Sequence, residues 1–487
     1  MRLAVNHQPK RILFVTSEFG DYVKVGGLGE VSATLPRALN RLHDVRILVP
    51  GYRDLLKAAH DLQVVRHLRS FAGLPACDIA CVKTADGLVV YVVVCPELYE
   101  RDGTPYADSK GVDWCDNDIR FGRLGLAAAE IACSEAGAEW HPDLIHVNDW
   151  TSALAPAYIA WRGHSLPSIL TIHNAAFAGA FDRNRLDTLG IPQSAFTMDG
   201  VEFYGRLSFL KAGISYCSHV TTVSSTYANE ITTPEFGCGL DGLLRLRAQE
   251  GRLTGIINGI DTDWNPHRDP HLDCHFEAGE SKGRPANAEV VRQAFGLVAS
   301  HGPLFAVISR LVHQKGVDLT IQATETIVRQ GGQIVVTGRG DVRLEAEIIE
   351  LARHYRGKVG VKIGYEEKLA RQMYAGSDFL LMPSRFEPCG LTQMYAQKFG
   401  SLPVAHQTGG LADTIEDGVT GFLFPEPSLA SMLNAVYRSF DTFSSARRLG
   451  AMRRAAMKRR FSWQQSAKRY TEVYEHASSS NSAGRLA

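Results

Sequence analysis

The fold is decided by a pattern of which Ser168-Ile-Leu-Thr-Ile-His-Asn174 is one copy: a short apolar run, then polar residues, then a stretch with helical spacing. Near-continuous Val, Ile and Leu runs of this length are typical of parallel strands buried on both faces. The same pattern predicts strands at Arg11–Thr16, Val45–Val49, Val89–Val94, Asp143–Val147, Ser168–Ile172, His219–Val223, Phe305–Ile308, Gln333–Thr337, Val359–Ile363, Phe379–Met382 and Leu402–Ala405. We therefore predict an α/β protein with two doubly wound sheets.

The two series of strands indicate two large domains. The chain has 487 residues, more than one ordinary hydrophobic core accommodates. Residues 265–288 are rich in Pro, His, Asp and Gly, which is typical of a polar connection. We predict an N-terminal domain over 1–255, a C-terminal domain over 256–459, a helix over 460–478 and a disordered tail over 479–487.

Composition excludes several classes of partner. The 52 Lys and Arg residues balance 52 Asp and Glu residues, so no basic field attracts nucleic acid or an anionic membrane surface. The longest apolar run, Leu88–Cys95, is far shorter than the ~20 residues of a membrane-spanning helix. The start of the chain lacks the apolar core of a signal peptide, and nine irregularly spaced cysteines are typical of reduced thiols. We expect a soluble, cytoplasmic protein.

Two glycine-rich segments share a Gly-Gly-Leu element, and each comes before a predicted helix: Lys24-Val-Gly-Gly-Leu-Gly-Glu30 and Gln407-Thr-Gly-Gly-Leu-Ala-Asp413. Glycines let backbone amides approach an anion closely, and a helix N-terminus adds partial positive charge. One such segment by itself is more often a tight turn beside a solvated lysine. Because there are two, we predict that each domain offers an amide-lined loop to the same diphosphate.

Charged residues follow two strands of the second series. The segment Ser309-Arg-Leu-Val-His-Gln-Lys-Gly316 provides a guanidinium and an ammonium that can clamp a diphosphate. Two cations at a helix start would otherwise be disfavoured by the helix dipole. The segment Pro383-Ser-Arg-Phe-Glu-Pro-Cys-Gly-Leu-Thr392 places Glu387 beside amides suited to a phosphate, and a carboxylate there needs a cationic or hydroxyl partner. The alternative for Glu387 is helix capping without chemistry.

Together these segments resemble glycogen and starch synthases. The resemblance runs in order from about Arg11 to about Tyr474 and is carried by Lys24–Glu30, His146-Val-Asn-Asp-Trp150, Thr171-Ile-His-Asn174, Ile257-Asn-Gly-Ile-Asp261, Ser309–Gly316, Pro383–Thr392 and Thr408–Asp413. It implies a GT-B fold, in which two Rossmann-like domains face a deep cleft and a C-terminal helix crosses back to the N-terminal domain. It also implies transfer of glucose to an α-1,4-glucan with retention of configuration.

The resemblance implies roles for five residues at the reacting centre. Residues matching Arg310 and Lys315 bind the donor phosphates in that family, and the residue matching Glu387 lies at the donor sugar. His173 matches a histidine that contacts the glucose, and Asp149 matches an acid in the cleft. The family-type route is front-face transfer, in which the leaving phosphate assists deprotonation of the acceptor. The open alternative is double displacement, for which Asp149 and Glu387 are the candidate nucleophiles.

Further residues are assigned to the two substrates. Tyr365 matches the ring that stacks on the nucleobase, Asn258 a polar group near the sugar, and Tyr106 a residue near the acceptor. With the loop residues, the predicted donor site is Lys24, Gly26, Gly27, Asn258, Tyr365, Gly390, Leu391, Thr392, Thr408, Gly409 and Gly410. We expect no metal and no cofactor. The expected partners are ADP-glucose and a glycogen or α-1,4-glucan primer.

Some positions depart from the family pattern. The usual Lys-Thr-Gly-Gly is Lys-Val-Gly-Gly here and ends at Glu30 instead of Asp, and Phe177 stands where a tyrosine is expected. UDP-glucose as donor therefore stays an alternative, as does another retaining GT-B glycosyltransferase. Many such enzymes carry a second Glu eight residues after the first, whereas this chain has Tyr395 there.

Two other classes of protein are less well supported by the sequence. A glucan phosphorylase would need a lysine that binds pyridoxal phosphate and a much longer chain. A non-catalytic glucan-binding protein would be expected to lose the donor clamp, but Arg310, Lys315 and Glu387 are all present.

Overall fold

The computed structural model describes residues 8–134, 140–279 and 283–483. The chain forms two compact units. The first consists of Met1–Val223, Ala228–Gly259 and Trp463–Ala487, and the second of Ser224–Tyr227 and Ile260–Ser462. Of the tail predicted to be disordered, residues 484–487 lie outside the described residues.

The first unit is built on a large sheet, with a small antiparallel sheet beside it. Its strands are β1 (Arg11–Val15), β2 (Asp44–Pro50), β3 (Gln63–Leu68), β4 (Cys77–Lys83), β5 (Val89–Val94), β6 (Leu144–Asn148), β7 (Ser168–Ile172), β8 (Ala180–Phe181), β9 (Glu202–Phe203), β10 (Arg206–Ser208), β11 (His219–Thr222) and β12 (Leu253–Gly255). The order in the large sheet is β12-β11-β7-β6-β1-β2-β5-β4-β3, and that in the small sheet is β8-β10-β9. Pairing in the large sheet is parallel except at β4, which is antiparallel to both neighbours.

Helices cover the large sheet of the first unit and connect its strands. They are α1 (Gly27–Leu39), α2 (Arg53–Ala58), α3 (Pro96–Tyr99), α4 (Asn117–Ala132), α5 (Asp149–Ser152), α6 (Leu154–Trp161), α7 (Leu186–Leu189), α8 (Phe209–Tyr216) and, after α9 (Ser225–Glu230), α10 (Asp241–Gln249), with 3₁₀ turns at Arg183–Arg185 and Gln193–Ala195. The residues of α9 are divided between the two units at Tyr227. Helix α1 buries Val31 and Leu35 against β1, because these residues recur at helical spacing on one face.

The second unit contains one parallel sheet in the order β15-β14-β13-β16-β17-β18. Its strands are β13 (Leu304–Ile308), β14 (Gln333–Gly338), β15 (Val359–Ile363), β16 (Phe379–Met382), β17 (Leu402–His406) and β18 (Phe422–Phe424). Its helices are α11 (Gly283–Ala294), α12 (Val317–Arg329), α13 (Val342–His354), α14 (Glu367–Gly376), α15 (Thr392–Lys398), α16 (Gly409–Thr414), α17 (Leu429–Phe443) and α18 (Ala446–Lys458), with a 3₁₀ turn at His313–Lys315. The prediction of two α/β domains with parallel sheets is confirmed.

The last helix, α19 (Trp463–Ala483), packs on the first unit and extends beyond the predicted end at residue 478. Its Tyr470 and Tyr474 belong to the core that contains Phe14 of β1. His146 on β6 is buried and bonded on both ring nitrogens, by the Tyr474 hydroxyl at 2.8 Å and the Thr171 hydroxyl at 2.6 Å. The motif residue His146 therefore anchors this helix. No helix in the described ranges has both the length and the apolar character needed to cross a bilayer.

Candidate active site

Two predicted site residues, Asp149 and His173, lie next to each other where the neighbouring strands β6 and β7 end. Asp149 begins α5 directly after β6 and has a φ of 53°, a left-handed conformation that is unusual for a residue with a Cβ. Its Oδ1 accepts a hydrogen bond from the backbone N–H of His173 at 2.7 Å. Burial raises the pKa of Asp149 to about 7, although bonds from the backbone N–H groups of His173 and Asn174 oppose the shift. The pKa of Asp149 therefore lies close to neutral pH.

The geometry around His173 settles which ring nitrogen carries its proton. The Asn148 side chain donates from Nδ2 to the Val15 carbonyl at 3.0 Å, so its Oδ1 must face His173. His173 Nε2 lies 3.0 Å from that oxygen and therefore donates to it. Burial lowers the pKa of His173 to about 3, so the imidazole is neutral near pH 7. Its Nδ1 then serves as an acceptor, suited to a sugar hydroxyl.

The amino-terminal glycine loop contains glycines of two kinds. A Cβ on Gly29 would lie 3.0 Å from side-chain atoms of Glu18 and Lys24, so this glycine is tightly packed. A Cβ on Gly26 or Gly27 would meet no atom within 4 Å in the part of the chain that the structure describes. Lys24 pairs with Glu30 at 2.5 Å. No described residue therefore packs against the side-chain direction of Gly26 or Gly27.

Glu18, which follows β1, is a site residue that the sequence analysis missed. It is 3% exposed, and its Oε2 accepts bonds from the backbone N–H groups of Val25 at 2.8 Å and Gly26 at 3.1 Å. Its Oε1 accepts a 2.6 Å bond from the Tyr106 hydroxyl. Burial and the nearby Glu18 charge raise the pKa of Tyr106 well above its ordinary value. Glu18 thus joins the predicted acceptor residue to the glycine loop, and the Gly26 amide already has an acceptor within the protein.

In the second unit, the loops after β13 and β16 bring Lys315 and Glu387 together. The Lys315 ammonium forms an ion pair with Glu387 Oε2, which also accepts a 3.2 Å bond from the Ser384 hydroxyl. Glu387 is 6% exposed, so this cation supplies the partner that a buried carboxylate needs. Arg310 is exposed, and its guanidinium donates a long hydrogen bond of 3.4 Å to the side-chain oxygen of Gln314. The structure thus brings Lys315, and not Arg310, into contact with Glu387.

The second glycine loop is explained largely by packing inside the protein. A Cβ on Gly409 or Gly410 would overlap the carbonyl oxygens of Glu387 or Cys389, respectively. The Gly410 N–H donates to the Glu387 carbonyl at 3.0 Å. By contrast, the N–H groups of Gly390, Leu391 and Thr392 have no acceptor among the residues described. These three amides precede or begin α15 and remain suited to an anion.

The other predicted donor residues lie at different places in the two units. Tyr365 follows β15 and is 66% exposed, whereas Thr408 is buried at the N-cap of α16. Asn258 is buried in the first unit, and its Oδ1 has no partner within the described ranges. A buried amide oxygen without a partner is costly, which marks Asn258 as a group that can receive a ligand hydroxyl.

Position 395, where many retaining GT-B enzymes carry an acid, is part of the core of the second unit. Tyr395 stacks on Trp264 with a centroid separation of 3.6 Å and an interplanar angle of 17°. The Arg371 guanidinium lies 3.9 Å from the centre of the Trp264 ring and pairs with Asp269 at 2.6 Å. Tyr395 is therefore a packing residue here.

Comparison with known proteins gives the family. Residues 11–246 match the starch synthase catalytic domain, and residues 293–450 match the glycosyl transferases group 1 domain. The chain is 57% identical to a glycogen synthase of Pseudomonas syringae pv. syringae over 96% of each chain, and 56% identical to glycogen synthase 1 of Bradyrhizobium diazoefficiens over 93% of this chain and 98% of that protein. The catalytic domain of starch synthase IV from Arabidopsis thaliana, bound to ADP and acarbose, superimposes with a TM-score of 0.86 at 31% identity, covering 97% of this chain and all of that one. The chain therefore belongs to the glycogen and starch synthase family of glucosyltransferases.

Proposed function

We propose that this enzyme transfers glucose from ADP-glucose to the non-reducing end of an α-1,4-glucan, with retention of configuration. The observation that carries the proposal is the Lys315–Glu387 ion pair, partly buried at the lysine and buried at the carboxylate, beside the open amides of Gly390, Leu391 and Thr392. The ADP bound to the starch synthase IV relative supports adenine as the base.

On the donor side, Lys315, Arg310 and the three amides take the diphosphate. A cation and N–H donors fixed in advance stabilise the negative charge that the leaving group gains as the glycosidic bond breaks. The exposed ring of Tyr365 stacks on the base. The Asn258 Oδ1 accepts a hydrogen bond from a hydroxyl of the donor sugar. Lys24, Gly26 and Gly27 approach the phosphates, and so do Thr408, Gly409 and Gly410, although the Gly410 amide already donates to Glu387.

At the reacting centre His173 holds a hydroxyl of the transferred glucose, and Tyr106 lies on the acceptor side. The neutral His173 Nδ1 accepts a hydrogen bond from a sugar hydroxyl and so orients the glucose without adding positive charge near the anomeric carbon. Asp149 in its ionised form stabilises the positive charge that develops on the sugar ring. Glu387 has its Oε2 committed to Lys315 and Ser384, which makes it a poor nucleophile. This inventory supports front-face transfer over double displacement.

The donor assignment is tested with purified protein, a glycogen primer, and ADP-glucose or UDP-glucose at equal concentrations. We expect ADP-glucose to have the higher kcat/KM for glucan-linked label, and complete digestion of the product by an α-1,4-specific exo-glucosidase. Equal or better use of UDP-glucose would overturn the donor assignment. Label that is released only as free glucose would overturn the transferase assignment.

The stereochemical route is tested by rapid quench with donor alone, followed by intact mass spectrometry. Front-face transfer predicts no covalent glucosyl-enzyme in the wild type, in Glu387→Gln or in Asp149→Asn. A glucosyl mass that maps to Glu387 or Asp149 would establish double displacement instead.

A further inference from the structure

The tip of the β9–β10 hairpin has an unexpected residue. Phe203 pairs with Arg206, which leaves Tyr204 and Gly205 as a two-residue turn with φ values of 50° and 78°. Positive φ at both central residues defines a type I′ turn, for which Asn-Gly, Asp-Gly and Gly-Gly are strongly preferred. A tyrosine at the first central position is sterically disfavoured. The turn itself therefore gives no reason for a tyrosine.

Packing does not give a reason either, because the Tyr204 side chain is 79% exposed. The ring nevertheless has a defined seat. A Cβ on Gly239 would lie 2.9 Å from Tyr204 Cε2 and 3.2 Å from its hydroxyl oxygen, so the glycine makes room for the ring. The Phe203 ring meets it edge-on at a centroid separation of 4.8 Å. The aromatic surface is thus held in place while most of it faces solvent.

The hairpin is joined to the segment that follows His173. Leu207 and Ser208 of β10 pair with Phe181 and Ala180 of β8, and the Ser208 hydroxyl donates to the Ala178 carbonyl at 2.7 Å. Tyr204 precedes Ser208 by four residues, of which Tyr204 and Gly205 form the turn and Arg206 begins β10. The strand part spans two residue steps, about 7 Å at ~3.3 Å per residue, so the turn projects beyond the contact with Ala178, and a glucan must extend past its reacting end to meet the ring.

We propose that Tyr204 is a secondary glucan-binding platform, on which a glucose ring of the acceptor chain stacks several units away from its reacting end. An exposed, oriented phenol offers an apolar face for the C–H face of a sugar and a hydroxyl for its edge. A long glucan then gains contacts that a short one cannot reach. The inference rests on the proposed glucan transfer, because the polymer is the ligand that is present at this unit.

The test uses Tyr204→Asn, which removes the ring and gives the turn a residue that it prefers. We expect an unfolding temperature equal to or above that of the wild type, since Asn tolerates this conformation. The apparent KM for glycogen should rise by about three- to ten-fold, the scale of one lost aromatic contact. The kcat, the KM for ADP-glucose and the kcat/KM for maltotriose should stay within about two-fold of wild type. Tyr204→Phe should keep most of the affinity for glycogen.

The matched control is Tyr437→Asn, which removes a half-exposed tyrosine on α17 in the other unit and should leave the KM for glycogen unchanged. A lower unfolding temperature for Tyr204→Asn would indicate a structural role, and an altered sedimentation coefficient would indicate contact with a second copy of the chain. Either result, or an unchanged KM for glycogen, overturns the platform. Wild-type protein that fails to label glycogen at all would instead overturn the proposed function.

Discussion

Replacement of Lys315 by Ala should affect two measurable quantities, because this side chain is predicted to bind the donor and is also the counterion of Glu387. Without the ammonium, a carboxylate that is 6% exposed keeps the Ser384 hydroxyl as its one side-chain partner among the described residues. Breaking one side of a buried ion pair costs about 3–5 kcal/mol. The Lys315 side chain is 17% exposed, so we expect the lower end, about 3 kcal/mol. For a unit of this size, that lowers the melting temperature by about 6–12 °C.

Turnover should fall by about 10²–10³ as well, the usual effect of removing one preorganised charge stabiliser. The double variant Lys315→Ala/Glu387→Gln separates the two losses. The double variant leaves no unpaired charge at this position, so its melting temperature should return most of the way to that of the wild type. Its turnover should stay at or below that of Lys315→Ala, because the contact with the diphosphate is still missing.

Thermal unfolding followed by circular dichroism, together with initial rates of ADP release below the lowest melting temperature, measures both effects. Lys368→Ala, in which an exposed lysine of α14 is lost, is the control and should match the wild type. If the double variant regains the turnover of Glu387→Gln, Lys315 acts only as a counterion. Turnover of folded Lys315→Ala within a few-fold of wild type would remove the residue from the mechanism altogether.

Three further predictions concern the first unit and the second glycine loop. Glu18→Gln should lower kcat/KM for glucan about ten-fold or more, because an amide cannot accept all three bonds; normal kinetics would show that the loop holds its shape unaided. Gly26→Ala should keep its melting temperature and raise the KM for ADP-glucose, whereas Gly410→Ala should lose stability; equal melting temperatures would refute the difference. With a folded-state pKa of about 7, above the unfolded value, Asp149 favours folding less as the pH rises from about 4 to about 7. Asp149→Asn should therefore gain stability relative to wild type over that range, and a constant difference in pH-dependent melting would contradict the raised pKa.

Most strands that are buried on both faces could be predicted, because such burial leaves an apolar run that can be read locally. Strand β4, which is largely buried, was missed because Asp78 interrupts its apolar residues. Strand β7 and strand β15 have the predicted bounds. Strand β3 was missed because nearly all its residues are exposed at a sheet edge, so it has no such run. The hairpin of β9 and β10 was missed because its strands are only two and three residues long.

The site could be predicted only in part, because side-chain partners depend on tertiary contacts. Lys315 and Glu387 were each identified from their positions after strands, but their ion pair joins residues 72 positions apart. Glu18 was missed because nothing in the neighbouring sequence distinguishes a buried carboxylate from an exposed one. Its three donors come from Val25, Gly26 and Tyr106, and only the folded chain brings them together.

The two Gly-Gly-Leu segments show why a repeated motif does not imply a repeated role. At Gly26 and Gly27 a Cβ would meet no atom of the described residues within 4 Å, so packing does not require glycine there. At Gly409 and Gly410 the backbone of Glu387–Cys389 occupies the space that a Cβ would need, so glycine is needed before any ligand is considered. The Gly410 N–H also donates to the Glu387 carbonyl, so the second loop helps to hold the backbone of Glu387 in place. Its glycines therefore have a packing role that Gly26 and Gly27 lack.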